Sequence, residues 1–210
     1  MAKLLLALLI IVISLVALLS VDNVVEAIVC QQNFEYPLYK QCGQPWSNDL
    51  FGRSSICYTG SLITSMSMAL NGRKISSMNP GQLNSWAHTA LKEWFDKWND
   101  DDRALENALV HGLEKLGMKN TNYYPNNNWI GEMVTDLCKG KVVLLQVAKD
   151  DYNKYWTLAT GFDETTFTVN NPAYSKTVFN AMEVKSAVVF EQINQEFMKY
   201  FDCHVEIVKL

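Results

Sequence analysis

The chain is short of charge, of histidine and of the spacings that bind metals, and each shortage removes a class of function. Charged side chains make up 19% of 210 residues, and the formal net charge at pH 7 is −4. No run of lysine or arginine occurs, so nucleic acid and anionic membrane surfaces meet no face of matching charge. The five cysteines, Cys30, Cys42, Cys57, Cys138 and Cys203, include no C-x-x-C pair, and the only histidine beside a cysteine is His204. A zinc site is therefore not expected. The acids Asp100, Asp101 and Asp102 are consecutive rather than alternating, which suits a helix start and not a calcium loop. No Asn-x-Ser/Thr sequon is present, so N-glycosylation is not expected. Repeats, low-complexity tracts and linkers are also lacking, and the length fits one domain with a proper core.

Apolar residues are plentiful at 49%. Lys3 precedes an apolar run from Leu4 to Leu19 that only Ser14 interrupts, and Val25-Glu26-Ala27 offers small residues where a signal peptidase reads. Residues 1–27 are expected to be a signal peptide, leaving 28–210 as a single secreted or lumenal domain with no membrane attachment after cleavage. An uncleaved signal anchor is the alternative, because the run almost reaches the length of a spanning helix. Export makes disulfide pairing the default for the cysteines, with one left over.

The later sequence divides by period. Ser61 to Leu70 is small or apolar nearly all round and stops at Asn71-Gly72, as a buried helix does. Asn79-Pro80 opens a second helix, with Leu83, Trp86, Ala87, Ala90, Leu91 and Trp94 at helical spacing. Asp100–Asp102 opens a third that Gly117 stops, and Trp129 to Cys138 is a fourth. The Trp86, Trp94 and Trp98 set reads as helix packing. Strands are expected at Val142–Val147, Tyr155–Thr160, Thr166–Val169, Val184–Phe190 and His204–Val208, with a turn over Gly161–Thr165. Helices first and antiparallel strands afterwards make an α+β fold.

Several segments resemble the bacteriocin-processing-peptidase-like group of papain-like cysteine peptidases (peptidase family C thirty-nine-like). Tyr39-Lys40-Gln41-Cys42 with Trp46 and Leu50 is similar to that group's Tyr-x-Gln-Cys-x-x-x-Trp-x-x-x-Leu opening. Ile56-Cys57-Tyr58-Thr59-Gly60-Ser61 resembles its Ile-Cys-x-x-Gly-Cys helix start, and Asn79 to Trp86 its second helix. Tyr155-Trp156-Thr157-Leu158-Ala159-Thr160-Gly161 and Val169-Asn170-Asn171-Pro172 resemble its His-Trp/Tyr-Val-Leu-x-Thr-Gly strand and its Val-Asn-Asp-Pro strand end. The resemblance covers most of residues 36–190 and implies a papain-like, disulfide-stapled fold. Such a fold holds a thiol at the head of a buried helix, a histidine base on a later strand and an Asp or Asn that orients the histidine.

The departures from that pattern decide the expected function. Ser61 stands where the group carries its nucleophilic cysteine, Tyr155 where it carries the histidine, and Asn171 where it carries the aspartate. Gln41, implied to be the oxyanion-hole donor, is kept. A serine without a general base is a poor nucleophile at neutral pH, and a tyrosine of ordinary pKa about 10 cannot act as that base. His88, His111 and His204 lie outside the matching strand. Cys57 is expected to pair with Cys42, closing a loop of fourteen residues, Gly43 to Ile56, while Cys30, Cys138 and Cys203 cannot all pair. The expectation is a secreted, catalytically inactive papain-like domain that needs no cofactor and keeps a groove for a peptide or protein ligand. The rival is an active thiol hydrolase or peptidase that uses a reduced Cys57 with a distant histidine.

Overall fold

Nine strands, five α-helices and three short 3-10 helices account for the regular structure of the residues that the computed structural model describes, 28–93, 102–148 and 154–193. In chain order the strands and α-helices are β1 (Val29–Gln31), β2 (Leu50–Phe51), β3 (Ser54–Ser55), α1 (Ile56–Thr59), α2 (Ser61–Gly72), α3 (Pro80–Ala90), α4 (Asp102–Gly112), β4 (Met118–Tyr124), α5 (Ile130–Cys138), β5 (Val142–Ala148), β6 (Lys154–Asp163), β7 (Thr166–Asn170), β8 (Val178–Asn180) and β9 (Val184–Gln192). The arrangement is α+β, and every strand pair is antiparallel. The main sheet runs β4-β9-β5-β6-β7-β8, with β1 also paired to β6, and β2 with β3 forms a separate hairpin.

The period-2 rule shows why β5 is apolar on both faces. Val142 and Leu144 join the cluster formed by α2, α3 and the end of α4, whereas Val143, Leu145 and Val147 join Met133, Val134 and Leu137 of α5. The sheet is covered on both sides, so its central strand does not alternate between apolar and polar. Helix α2 lies wholly in the first layer, and every residue from Ser61 to Leu70 is buried. Asn79 caps α3 by accepting from the Gln82 backbone N–H while the Gln82 side chain returns a bond, and Pro80 occupies the first turn.

The expected turn at Gly161 begins later than its composition suggests. Gly161, Phe162 and Asp163 continue β6, pairing with Gln31, Cys30 and Val29 of β1 on one side and with β7 on the other. A Cβ at Gly161 would stand 2.5 Å from the Gln31 side-chain oxygen, so the glycine serves a close strand approach. The strand β4 was not expected at all, because Met118–Tyr124 is rich in asparagine and only Met118 is buried. The expected strand His204–Val208, Trp94, Trp98, residues 1–27 and Cys203 lie outside the described residues.

Two disulfides are formed, Cys42–Cys57 as expected and Cys30–Cys138, for which the sequence offered no choice. They indicate an oxidising environment. Among the described residues no helix is long and apolar enough to cross a membrane, and no cluster of metal-binding side chains occurs.

Two buried polar networks tie the layers together. Arg73, just past α2 and 5% exposed, has no carboxylate partner among the described residues. Its Nε donates to the Tyr36 hydroxyl at 2.8 Å and its Nη2 to Gln32 Oε1 at 3.2 Å and to the Gly140 carbonyl. The guanidinium also lies over the Phe34 ring, 3.6 Å from its centroid. Burial pushes the Tyr36 phenol up to about 12, against the opposing effect of Arg73.

The second network centres on Asp136. It accepts from Asn122 Nδ2 at 2.6 Å and the Tyr124 hydroxyl at 2.7 Å, and it pairs with Lys141 at 2.9 Å. Burial alone would raise this carboxyl. The bonds from Lys141, Tyr124 and Asn122, with the Lys141 charge, overcome that and hold it below the usual carboxylate range. A depressed folded pKa stabilises the fold above the unfolded value, about 3.9, and the gain is lost as pH falls through the folded one. Urea unfolding at pH 7 and pH 3 is therefore expected to show a smaller acid loss in Asp136→Asn than in the natural chain. Equal losses would remove Asp136 from the account.

Candidate functional site

Helix α2 begins where the chain is most crowded. A Cβ at Gly60 would stand 2.5 Å from the Ile56 carbonyl oxygen and 2.6 Å from the Ile56 side chain, so only glycine lets α1 run on into α2. This places Ser61 in the first turn of α2, 6% exposed.

The Ser61 hydroxyl accepts from the Trp156 backbone N–H at 3.1 Å, and Ser65, one turn later, donates to the Trp156 carbonyl at 3.3 Å. β7 begins to pair with β6 only at Leu158, so the Trp156 peptide groups on that side find no strand partner and two serines of α2 take them instead. Ser61→Ala would leave a buried N–H unpaired, with an expected loss of about 1–3 kcal/mol. Chemical denaturation of Ser61→Ala and Ser61→Thr checks this, because threonine keeps the oxygen. A Ser61→Ala variant as stable as the natural chain would show that the bond is dispensable.

Tyr155 is the residue before Trp156 and is half-buried. Its hydroxyl is 3.5 Å from Asn171 Nδ2, and its ring meets that of Tyr174 edge to face with centroids 5.0 Å apart. Burial pushes the phenol above its ordinary range, against the opposing bond from Asn171. Asn171, fully buried just after β7, also uses Nδ2 to donate to the Lys176 carbonyl at 2.8 Å, while its Oδ1 accepts from the backbone N–H groups of Ala173 and Tyr174, both at 3.0 Å. Its amide thus folds the 171–176 loop and turns its donor end toward Tyr155. An orienting residue for a histidine would turn an acceptor that way.

The segment carrying Gln41 closes on this loop. The Gln41 backbone N–H donates to the Pro172 carbonyl at 3.1 Å, and Lys40 Nζ donates to the carbonyls of Asn171 and Tyr174 at 2.7 and 2.9 Å. The Gln41 side chain, 7% exposed, donates through Nε2 to the Cys57 carbonyl at 2.7 Å, and its Oε1 has no partner among the described residues. The bond runs to the main chain one helical turn before Ser61, rather than to the serine itself.

Positions 61, 155 and 171, widely separated in sequence, are thereby linked through Trp156 and the Tyr155 hydroxyl. Among the described residues the Ser61 hydroxyl has no hydrogen bond with Tyr155. No histidine belongs to this chain of contacts. His88 Nε2 lies 3.3 Å from the Leu50 carbonyl, His111 is exposed in the last turn of α4, and His204 lies outside the described residues. Cys57 is bonded to Cys42 and presents no thiol. Ser65, Lys40 and Tyr174 belong to the assembly, although the sequence reading assigned none of them a role in it. The spacing of Ser61 and Ser65, four apart and so on one face of the buried helix, was the available signal for one shared partner. No protein-family model matches the chain, and no curated protein matches it either.

Proposed function

We propose that the chain is an exported papain-like domain of the bacteriocin-processing-peptidase-like group that has lost catalysis and keeps a site for a peptide or protein ligand. The observation that supports it best is the contact series Ser61, Trp156, Tyr155, Asn171, which links the three positions the resemblance selects. Each carries a group unable to run the thiol mechanism. Ser61 spends its oxygen on a backbone N–H, Tyr155 is held protonated at neutral pH, and Asn171 offers a donor. The two disulfides support export. A reading as an active hydrolase through Cys57 requires a thiol that the Cys42–Cys57 bond removes.

The test is exposure of the purified, disulfide-intact protein to an epoxide-type cysteine-peptidase inhibitor and to a broad peptide library. No labelling at position 61 or 57 and no thiol-dependent cleavage are expected. Stoichiometric labelling of Cys57, with turnover abolished in Cys57→Ala, would make the hydrolase reading correct.

A further inference from the structure

The two disulfides differ in ways that their positions in sequence do not reveal. Cys30 is 3% exposed and sits in the apolar cluster with Met133, Val134, Leu137 and Phe162, and Cys138 packs against the same cluster. An attacking thiolate must enter that layer to reach the Cys30 sulfur, and Cys138, half-buried against the cluster, is the more open end of this pair. Cys42 is exposed and Cys57 half-buried at the head of the helical layer, so one sulfur of this pair meets solvent directly. Thiol–disulfide exchange requires in-line access of a thiolate to a sulfur, which makes access the first discriminator between the two bonds.

The second observation concerns what remains once the bond has opened. The Cys57 carbonyl is held by Gln41 Nε2 at 2.7 Å, and the Cys57 N–H donates to the Ser47 carbonyl at 3.0 Å. Ile56 N–H donates to the Asp49 carbonyl at 2.9 Å, and Gln44 N–H to Ser47 Oγ at 2.8 Å. Asn84 of α3 holds the hairpin through the Leu50 carbonyl at 2.9 Å. None of these bonds uses a cysteine sulfur, and together they fix both ends of the loop. The Cα atoms of Cys42 and Cys57 are 4.5 Å apart, and the remaining bonds are expected to hold the two residues near each other after reduction. Closure is then an intramolecular step at high effective concentration.

We infer that Cys42 and Cys57 form a reversible thiol–disulfide exchange couple whose substrate class is an external dithiol. The substrate's thiolate attacks Cys42 Sγ, forming a mixed disulfide as the Cys42–Cys57 bond breaks and Cys57 leaves as a thiolate, which then takes up a proton. The substrate's second thiolate attacks its own sulfur in the mixed disulfide, and Cys42 leaves in turn. The dithiol is oxidised to a disulfide by two electrons, and Cys42 and Cys57 are reduced to two thiols. The reverse sequence with a partner disulfide restores the pair. This rests on sulfur access and the loop's hydrogen bonds, and it stands whether or not the papain-like reading does.

The test uses the full chain, with any thiol already present blocked by unlabelled iodoacetamide. Graded dithiothreitol is then added, and newly exposed cysteines are trapped with isotopically labelled iodoacetamide and mapped by mass spectrometry. Cys42 and Cys57 are expected to be trapped roughly tenfold or more faster than Cys30 and Cys138. The near-ultraviolet circular dichroism should be unchanged, and transfer to oxidised glutathione should restore the original pair. With reduced glutathione, a monothiol, an acid-quenched sample should carry the transient adduct on Cys42, before Cys57 closes the pair again. Equal trapping of the four cysteines, first opening of Cys30–Cys138, an adduct on Cys57, or loss of the dichroism as Cys42–Cys57 opens would each overturn the inference.

Discussion

Replacing Arg73 by methionine is expected to cost about 3–5 kcal/mol of folding stability, measured by urea unfolding with both disulfides intact. Methionine fills much of the space of the arginine stem, so cavity formation contributes little and the polar terms dominate. The Gly140 carbonyl, Gln32 Oε1 and the Tyr36 hydroxyl all lose their guanidinium donor in a buried place. A buried polar group left unpaired costs about 1–3 kcal/mol. The Tyr36 hydroxyl already donates to Gln32 Oε1 at 2.6 Å, so that oxygen keeps one bond, and the total falls short of three full penalties. Gln32 in turn bonds the carbonyls of Leu137 and Lys141, so the loss spreads into the end of α5 and the start of β5. Arg73→Lys should recover only part of the loss, because an ammonium cannot span the same fork of acceptors. A loss below about 1 kcal/mol for Arg73→Met would mean that water or backbone movement replaces the guanidinium.

The largest functional effect expected is an absence of turnover. Serine and histidine in such a unit act together, and removing either member of a nucleophile–base pair leaves roughly 10³–10⁴ over water from the oxyanion hole and binding alone. On the reading proposed above, Ser61, Tyr155 and Asn171 stand in place of the thiol, the imidazole and the acceptor that orients it. Tyr155 cannot take a proton near pH 7, since burial raises rather than lowers its phenol. Ser61 Oγ is already an acceptor for Trp156 N–H, a bond that rotation toward a substrate would break. Peptide substrates should therefore be cleaved no faster by the natural chain than by Ser61→Ala, within the error of a sensitive fluorogenic assay. A rate that falls at least tenfold in Ser61→Ala would show Ser61 to be a nucleophile.

The helices were legible because their signals are local. The Asn79-Pro80 cap, the small or apolar Ser61–Leu70 stretch and the strands around Val142, Tyr155 and Val184 fall where composition and period place them. The Cys42–Cys57 pair was also legible, because pairing is the default for the cysteines of an exported chain. What could not be read depends on distant partners. β4 is a strand because β9 pairs with it, not because Lys119-Asn120-Thr121-Asn122 favours one. Gly161 resembles a turn residue until β1 lies against it. The Cys30–Cys138 pairing joins residues 108 apart and follows from β1 adding to β6 beside α5. At the candidate site the polarity of the contacts could not be read from the sequence. That Asn171 turns its donor toward Tyr155 follows from the 171–176 loop claiming its oxygen.

The central claim is that positions 61, 155 and 171 form one degenerate catalytic unit, and restoring its chemistry tests it most directly. The rate at which iodoacetamide alkylates residue 61 should be measured from pH 5 to 9 in Ser61→Cys, in Ser61→Cys with Tyr155→His, and in the triple variant that adds Asn171→Asp. Asn171→Asp supplies the acceptor an imidazole needs but gives up the bond to the Lys176 carbonyl, so circular dichroism should first confirm that each variant is folded. If the three positions share a site, the imidazole makes the thiol react faster near neutral pH. It also moves the inflection below the ordinary thiol value of about 8.5, further in the triple variant than in the double. Three folded variants with equal rates and the same ordinary inflection would contradict the claim.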